Sequence, residues 1–125
     1  MSTSKCPWGN FEVLYDGDDC KVKRITVDPN CRLSYQSHSQ RSEIWVIVSG
    51  YGKFTMNDKE SLVFPEMVMG IPQGAKHRIE NVADHESLVF VETQLGTYFG
   101  EDDIIRFEDD YGRHRPNWYR DDDLD

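Results

Sequence analysis

The chain has 125 residues, 38% hydrophobic and 30% charged, enough for one domain with a packed core and too few for two. A net charge of −9 argues against nucleic acid or an anionic membrane as partner, and no apolar run approaches the length of a membrane span. The charge is uneven: residues 101–125 hold ten acidic and four basic side chains, −6, against −3 for the first hundred. An anionic small substrate would therefore need a local basic cluster.

The N-terminus shows neither the charged nor the apolar region of a signal peptide. Cys6, Cys20 and Cys31 are odd in number and lack paired short spacing, which fits free thiols in a reducing cytoplasm. A cytoplasmic location is the expectation.

Met1–Gly9 reads as a loosely held arm anchored by Trp8. From Phe11 the chain reads as short strands: Phe11–Tyr15, Cys20–Val27, Arg32–Ser37, Glu43–Ser49, Gly52–Met56, Ser61–Phe64, Met67–Ile71, His77–Val82 and Ser87–Leu95. Turn residues separate them, among them Gly17-Asp18-Asp19, Asp28-Pro29-Asn30, Gly50-Tyr51-Gly52, Asn57-Asp58-Lys59 and Pro72-Gln73-Gly74. No stretch before residue 100 keeps a 3.6-residue period. Strands at this spacing predict an all-β jelly roll, a sandwich or barrel in a single domain over 1–125. Its core is expected over about 11–96, with an irregular C-terminal extension over about 97–116 and an acidic tail over 117–125. Asp121–Asp125 repels itself and should fray, while Trp118-Tyr119 could tuck against the sandwich before it. Ile44–Val48 is apolar on both faces, so its outer face should be covered by the C-terminal segment or a second subunit, and a homodimer is expected.

Two stretches carry the chemistry. Gln36 and His38 stand two apart and share one strand face, and Glu43 opens the next strand on the face of Trp45 and Ile47. If His77 faces the same space, the site gathers a carboxylate, two imidazoles and an amide oxygen. Such an N/O set suits one divalent ion, with zinc the first choice and Co, Mn, Ni or Fe possible. Ordinary polar residues at strand ends are the alternative. Trp45 reads as core, His85 as a turn residue and His114 as part of the basic patch Arg113–Arg115.

The spacing Gln36-x-His38-x4-Glu43-x6-Gly50, then Pro72-x-Gly74-x2-His77-x3-Asn81, resembles the two-part signature of the cupin superfamily, with Gln36 in place of the usual first histidine. The longer string is narrower: Leu33–His38, Arg41–Trp45, Ser49-Gly50, His77–Asn81, Gly96–Ile104, Arg106 and Asp110–Arg113. It resembles the type II mannose-6-phosphate isomerase domain, which stands behind a mannose-1-phosphate guanylyltransferase domain in bifunctional enzymes. The match runs from about Trp8 to Arg113. It implies a cupin double-stranded β-helix and interconversion of mannose 6-phosphate and fructose 6-phosphate. No guanylyltransferase domain is present in these residues, so isomerase chemistry alone is implied. Where bifunctional members often carry a histidine-rich run, this chain has Ser39, Gln40 and Ile44, none at a ligand position.

An aldose–ketose isomerase needs a group that polarises the carbonyl and a base near C2. Glu80, Glu92 and Glu101 are candidate bases, and the local sequence does not choose among them. Glu92 ends the apolar run Leu88–Val91, where burial would raise its pKa. For the phosphate, Arg106 matches the arginine of the family's closing string, Arg41 lies between two candidate ligands, and Lys76 and Arg78 flank His77. If His77 points inward, both its neighbours point outward. Another sugar-phosphate or nucleotide-sugar isomerase or epimerase is the rival within enzymes. A non-catalytic sugar-phosphate-binding cupin is the rival outside them.

Overall fold

A computed structural model describes residues 3–112. The expectations for Arg113–Arg115, Trp118-Tyr119 and Asp121–Asp125 therefore fall outside the described residues. Eleven strands build the described fold: β1 Thr3–Cys6, β2 Gly9–Asp16, β3 Cys20–Val27, β4 Tyr35–His38, β5 Arg41–Ser49, β6 Gly52–Met56, β7 Lys59–Val63, β8 Val68–Ile71, β9 His77–Asn81, β10 Leu88–Gly96 and β11 Ile104–Glu108. A single 3₁₀ turn, Glu101–Asp103, precedes β11.

Two antiparallel sheets face each other, one ordered β1-β2-β3-β10-β5-β8 and the other β11-β4-β9-β6-β7. This is the expected all-β jelly roll. Strand alternation explains the core: on β5, Arg41, Glu43, Trp45 and Ile47 are buried while Ile44, Val46 and Val48 are exposed. Trp45 stacks on Phe90 at 4.4 Å between centroids and meets Phe54 edge-on at 5.5 Å, the centre of an apolar cluster with Trp8, Ile25, Ile79 and Leu88. Each such fully buried side chain contributes about 1.5–3 kcal/mol. Gly50 carries the chain from β5 to β6 at φ +79°, where a Cβ would lie 2.5 Å from the Ser87 carbonyl oxygen.

The structure extends the expected core at both ends. Thr3–Cys6 is no loose arm: its backbone pairs with β2 from Thr3↔Glu12 to Cys6↔Gly9, and Trp8 is buried as expected. The C-terminal extension is not irregular throughout, because β11 pairs with β4. Arg32–Ser37 is shorter than expected as a strand, with Arg32 contributing only an isolated bridge to Glu80. No disulfide joins Cys6, Cys20 and Cys31. Among the described residues, no helix is long and apolar enough to cross a membrane.

Candidate metal centre and active site

β4 and β9 meet at Gln36↔His77, which sets an amide beside an imidazole on the inner face of one sheet. His38, two residues on, shares that face. Glu43 comes from β5 of the opposite sheet. Between them, ligand atoms of His38, Glu43 and His77 all lie within 4.8 Å of one another. His38 Nε2 is 3.6 Å from Glu43 Oε2, and His77 Nε2 is 3.9 Å from Glu43 Oε1. All three side chains are buried.

The surrounding partners orient these groups. His77 Nδ1 lies 3.0 Å from the Ala75 carbonyl, which can only accept, so Nδ1 carries the hydrogen and Nε2 keeps its lone pair. That Nε2 is buried and has no hydrogen-bond partner among the described residues. His38 Nδ1 lies 3.3 Å from Asp103 Oδ1, turning Nε2 inward. Trp45 Nε1 donates to Glu43 Oε1 at 2.9 Å, and the Ser34 hydroxyl donates to Gln36 Oε1 at 2.7 Å. An inward, unpaired imidazole nitrogen beside a carboxylate, each fixed from behind, fits a divalent cation.

Electrostatics point the same way. Burial would raise Glu43, but Arg41, His38 and His77 outweigh it and hold the carboxyl at about 2. Burial would lower His38, yet Asp103 and Glu43 together push it above its ordinary value. Burial dominates at His77 and lowers it. Arg41 donates from Nε to Glu43 Oε2 at 2.7 Å and from Nη1 to Glu101, and its Nη2 lies 3.0 Å from His38 Nε2.

Three predicted bases meet different fates. Glu92 is buried on the inner face of β10, and burial together with the nearby Glu43 charge raises it to about 7. Among the described residues its one hydrogen bond comes from Gln94 Nε2 at 2.5 Å. Glu101 is also buried, but Arg41 outweighs burial and holds it below the usual carboxylate range. Glu80 is not brought to the site: two residues beyond outward-facing Arg78, it points off the outer face and lies 3.5 Å from Lys53 Nζ.

Among the phosphate candidates, Arg106 of β11 sits opposite Gln36 of β4 and so shares its inner face. Arg41 reaches the site but is committed to two carboxylates. Lys76 is not brought in: its Nζ lies over the Phe107 ring at 4.6 Å. Arg78 bonds Leu33 and Glu108 on the outer side, as strand parity predicted.

Sequence reading missed Asp103, Gln94 and Lys23. Lys23 could have been found, because it shares a strand face with Ile25 and Val27, and all three are buried.

Two facing antiparallel sheets enclosing a His–Glu–His group that could hold a metal ion define a cupin. The cupin domain of Schizosaccharomyces pombe Cnp3 superposes with a TM-score of 0.66 over 70% of this chain and 64% of that one, at 15% identity. The chain belongs to the family described as mannose-6-phosphate isomerase C-terminal, whose profile matches residues 2–109. It is 44% identical over 107 residues to the xanthan biosynthesis protein XanB of Xanthomonas campestris, covering 86% of this chain and 23% of that protein. It is 41% identical over 108 residues to a mannose-1-phosphate guanylyltransferase of Salmonella montevideo, again 86% and 23%. The chain thus spans less than a quarter of the length of these relatives.

Proposed function

We propose that the protein is a metal-dependent sugar-phosphate isomerase that interconverts mannose 6-phosphate and fructose 6-phosphate. The observation that carries the reading is a buried carboxylate, Glu92, which is not part of the His38–Glu43–His77 group and among the described residues accepts a hydrogen bond from Gln94 alone. A sensor needs no such uncommitted base. The family's name supports the substrate.

In this reading Gln36, His38, Glu43 and His77 hold one divalent ion, zinc first among the choices, since imidazole nitrogens and a carboxylate suit it. The ion would polarise the substrate carbonyl. Glu92 takes the proton from C2 of the open-chain aldose. The C–H pair becomes the C1=C2 bond and the carbonyl π pair moves onto O1, giving an enediolate with its charge on O1. Glu92 then returns its proton to C1 while the hydroxyl proton passes from O2 to O1. With its pKa raised to about 7, the carboxylate is poised both to accept and to return that proton. Glu101 holds Arg41, Asp103 orients His38, and Arg106, on the face of Gln36, takes the phosphate. Turnover of mannose 6-phosphate by metal-loaded protein, with glucose 6-phosphate alongside, tests this reading.

The oligomeric expectation belongs to the same proposal. Ile44, Val46 and Val48 of β5 stay exposed, and Val46 pairs with Val68 of β8 and Val91 of β10 across the same outer face. No other described residue covers this apolar stripe. A second copy of the chain covers it in our reading, forming a homodimer.

A further inference from the structure

Lys23 stands directly opposite Glu92 in the β3–β10 ladder, on the inner face of the barrel. Directly opposed side chains on one face have Cβ atoms about 4.5–5.5 Å apart, close enough for lysine and glutamate to pair. They do not. Lys23 is 5% exposed, and among the described residues its ammonium makes no ion pair within 4.0 Å. Its Nζ instead lies 4.3 Å above the Phe11 ring.

A buried cation held off its neighbouring carboxylate is costly unless something else accepts its hydrogen bonds. The space beside it is a cavity of about 20 Å³ lined by Trp8, Lys23, Gln36, Arg41, Glu92 and Glu101. A cavity needs roughly 10–15 Å³ to admit one water, so this one takes a single oxygen-sized group. An indole donor shares it: Trp8 Nε1 is buried and has no hydrogen-bond partner among the described residues. The Lys23 ammonium, which makes no ion pair within 4.0 Å among the described residues, and the partnerless Trp8 N–H therefore line an oxygen-sized space together with the candidate base Glu92 and with Gln36 of the candidate metal set.

We propose that Lys23 and the Trp8 indole N–H form an oxygen pocket that binds one oxygen of the substrate's C1–C2 unit beside Glu92. This inference rests on the isomerase reading. As Glu92 removes the C2 proton, negative charge develops on the sugar oxygen, and the Lys23 ammonium donates a hydrogen bond to it there. No bond to Lys23 forms or breaks. Lys23 is thus a catalytic residue in the sense that it touches a reacting atom, and Trp8 is its neutral helper.

The test compares wild type with Lys23→Met, Lys23→Gln and Trp8→Phe, measuring metal content, Tm, and kcat and KM for mannose 6-phosphate. Wild-type turnover is measured first: if none occurs with any metal, the isomerase reading falls and takes this inference with it. With wild type active, Lys23→Met is expected to keep its metal and keep or raise its Tm, because an unpaired buried cation is removed. Its kcat should fall on the order of 10² to 10³-fold, the range for losing one donor to a developing oxyanion. Trp8→Phe should lower kcat less, with KM little changed. A structural lysine would give the reverse pattern. Retained kcat in Lys23→Met, or a shared loss of Tm and metal in both Lys23 variants, overturns the proposal.

Discussion

His77 is anchored through Nδ1 to the Ala75 carbonyl at 3.0 Å, two residues back on the same chain, so its other nitrogen is presented to Glu43. The approach to β9 thus sets the tautomer of the ring. It follows that His77→Ala should lower bound metal and abolish turnover, while His85→Ala, at an exposed turn, should do neither. Metal analysis of both purified variants checks this, and full metal content in His77→Ala would refute the site.

Proton competition gives a second expectation. His38 is held above its ordinary pKa, so it stays protonated to higher pH than a free imidazole, and a ligand nitrogen must be unprotonated. Metal affinity should therefore fall as pH drops through the titration of His38, and binding near that pH should release protons. Calorimetry in buffers of different ionisation enthalpy counts those protons directly.

Glu92 gives a third. Its folded pKa of about 7 exceeds the ordinary carboxylate value of 4.5. Between those values the folded state binds more protons than the unfolded state, so metal-free stability falls as pH rises through that window. Glu92→Gln removes this slope, and its Tm should exceed wild type at pH about 8 by more than at pH about 5. The same substitution should cost on the order of 10² to 10⁴ in kcat if Glu92 is the base. Melting curves at the two pH values, with turnover beside them, decide both points.

The outer face of β5 gives a fourth. Val46→Glu places a charge in the middle of the apolar stripe and should convert a dimer to a monomer, leaving the inward-facing Glu43 and Trp45 untouched. Light scattering coupled to size exclusion reads the mass. A wild-type monomer would remove the second copy from the account.

Much of this architecture was written locally. Strand period and turn residues marked nine strands, and the two-residue step between Gln36 and His38 placed both on one face before any topology was known. Strands β1 and β11 escaped because neither has an apolar alternation strong enough to stand out. Thr3–Cys6 is short and polar and is held by its hairpin with β2, while Ile104–Glu108 lies among acids and is placed by pairing with the distant β4. The candidate base could not be chosen for a similar reason. Glu80, Glu92 and Glu101 differ in what faces them across the sheets: Lys53 for Glu80, Arg41 for Glu101, and the unjoined Lys23 for Glu92. Arg106 is placed on the inner face by its register opposite Gln36, while Lys76, just before β9, lies over the Phe107 ring, as parity with inward-facing His77 suggested.

The central claim is tested most directly by stripping the protein of metal, reconstituting it with Zn, Co, Mn or Ni, and following fructose 6-phosphate formed from mannose 6-phosphate. The account predicts no turnover in the stripped protein and restored turnover on reconstitution, with no comparable conversion of glucose 6-phosphate. Stoichiometric metal binding without fructose 6-phosphate for any ion would contradict it, and would turn the same pocket into a binding site or a site for another sugar.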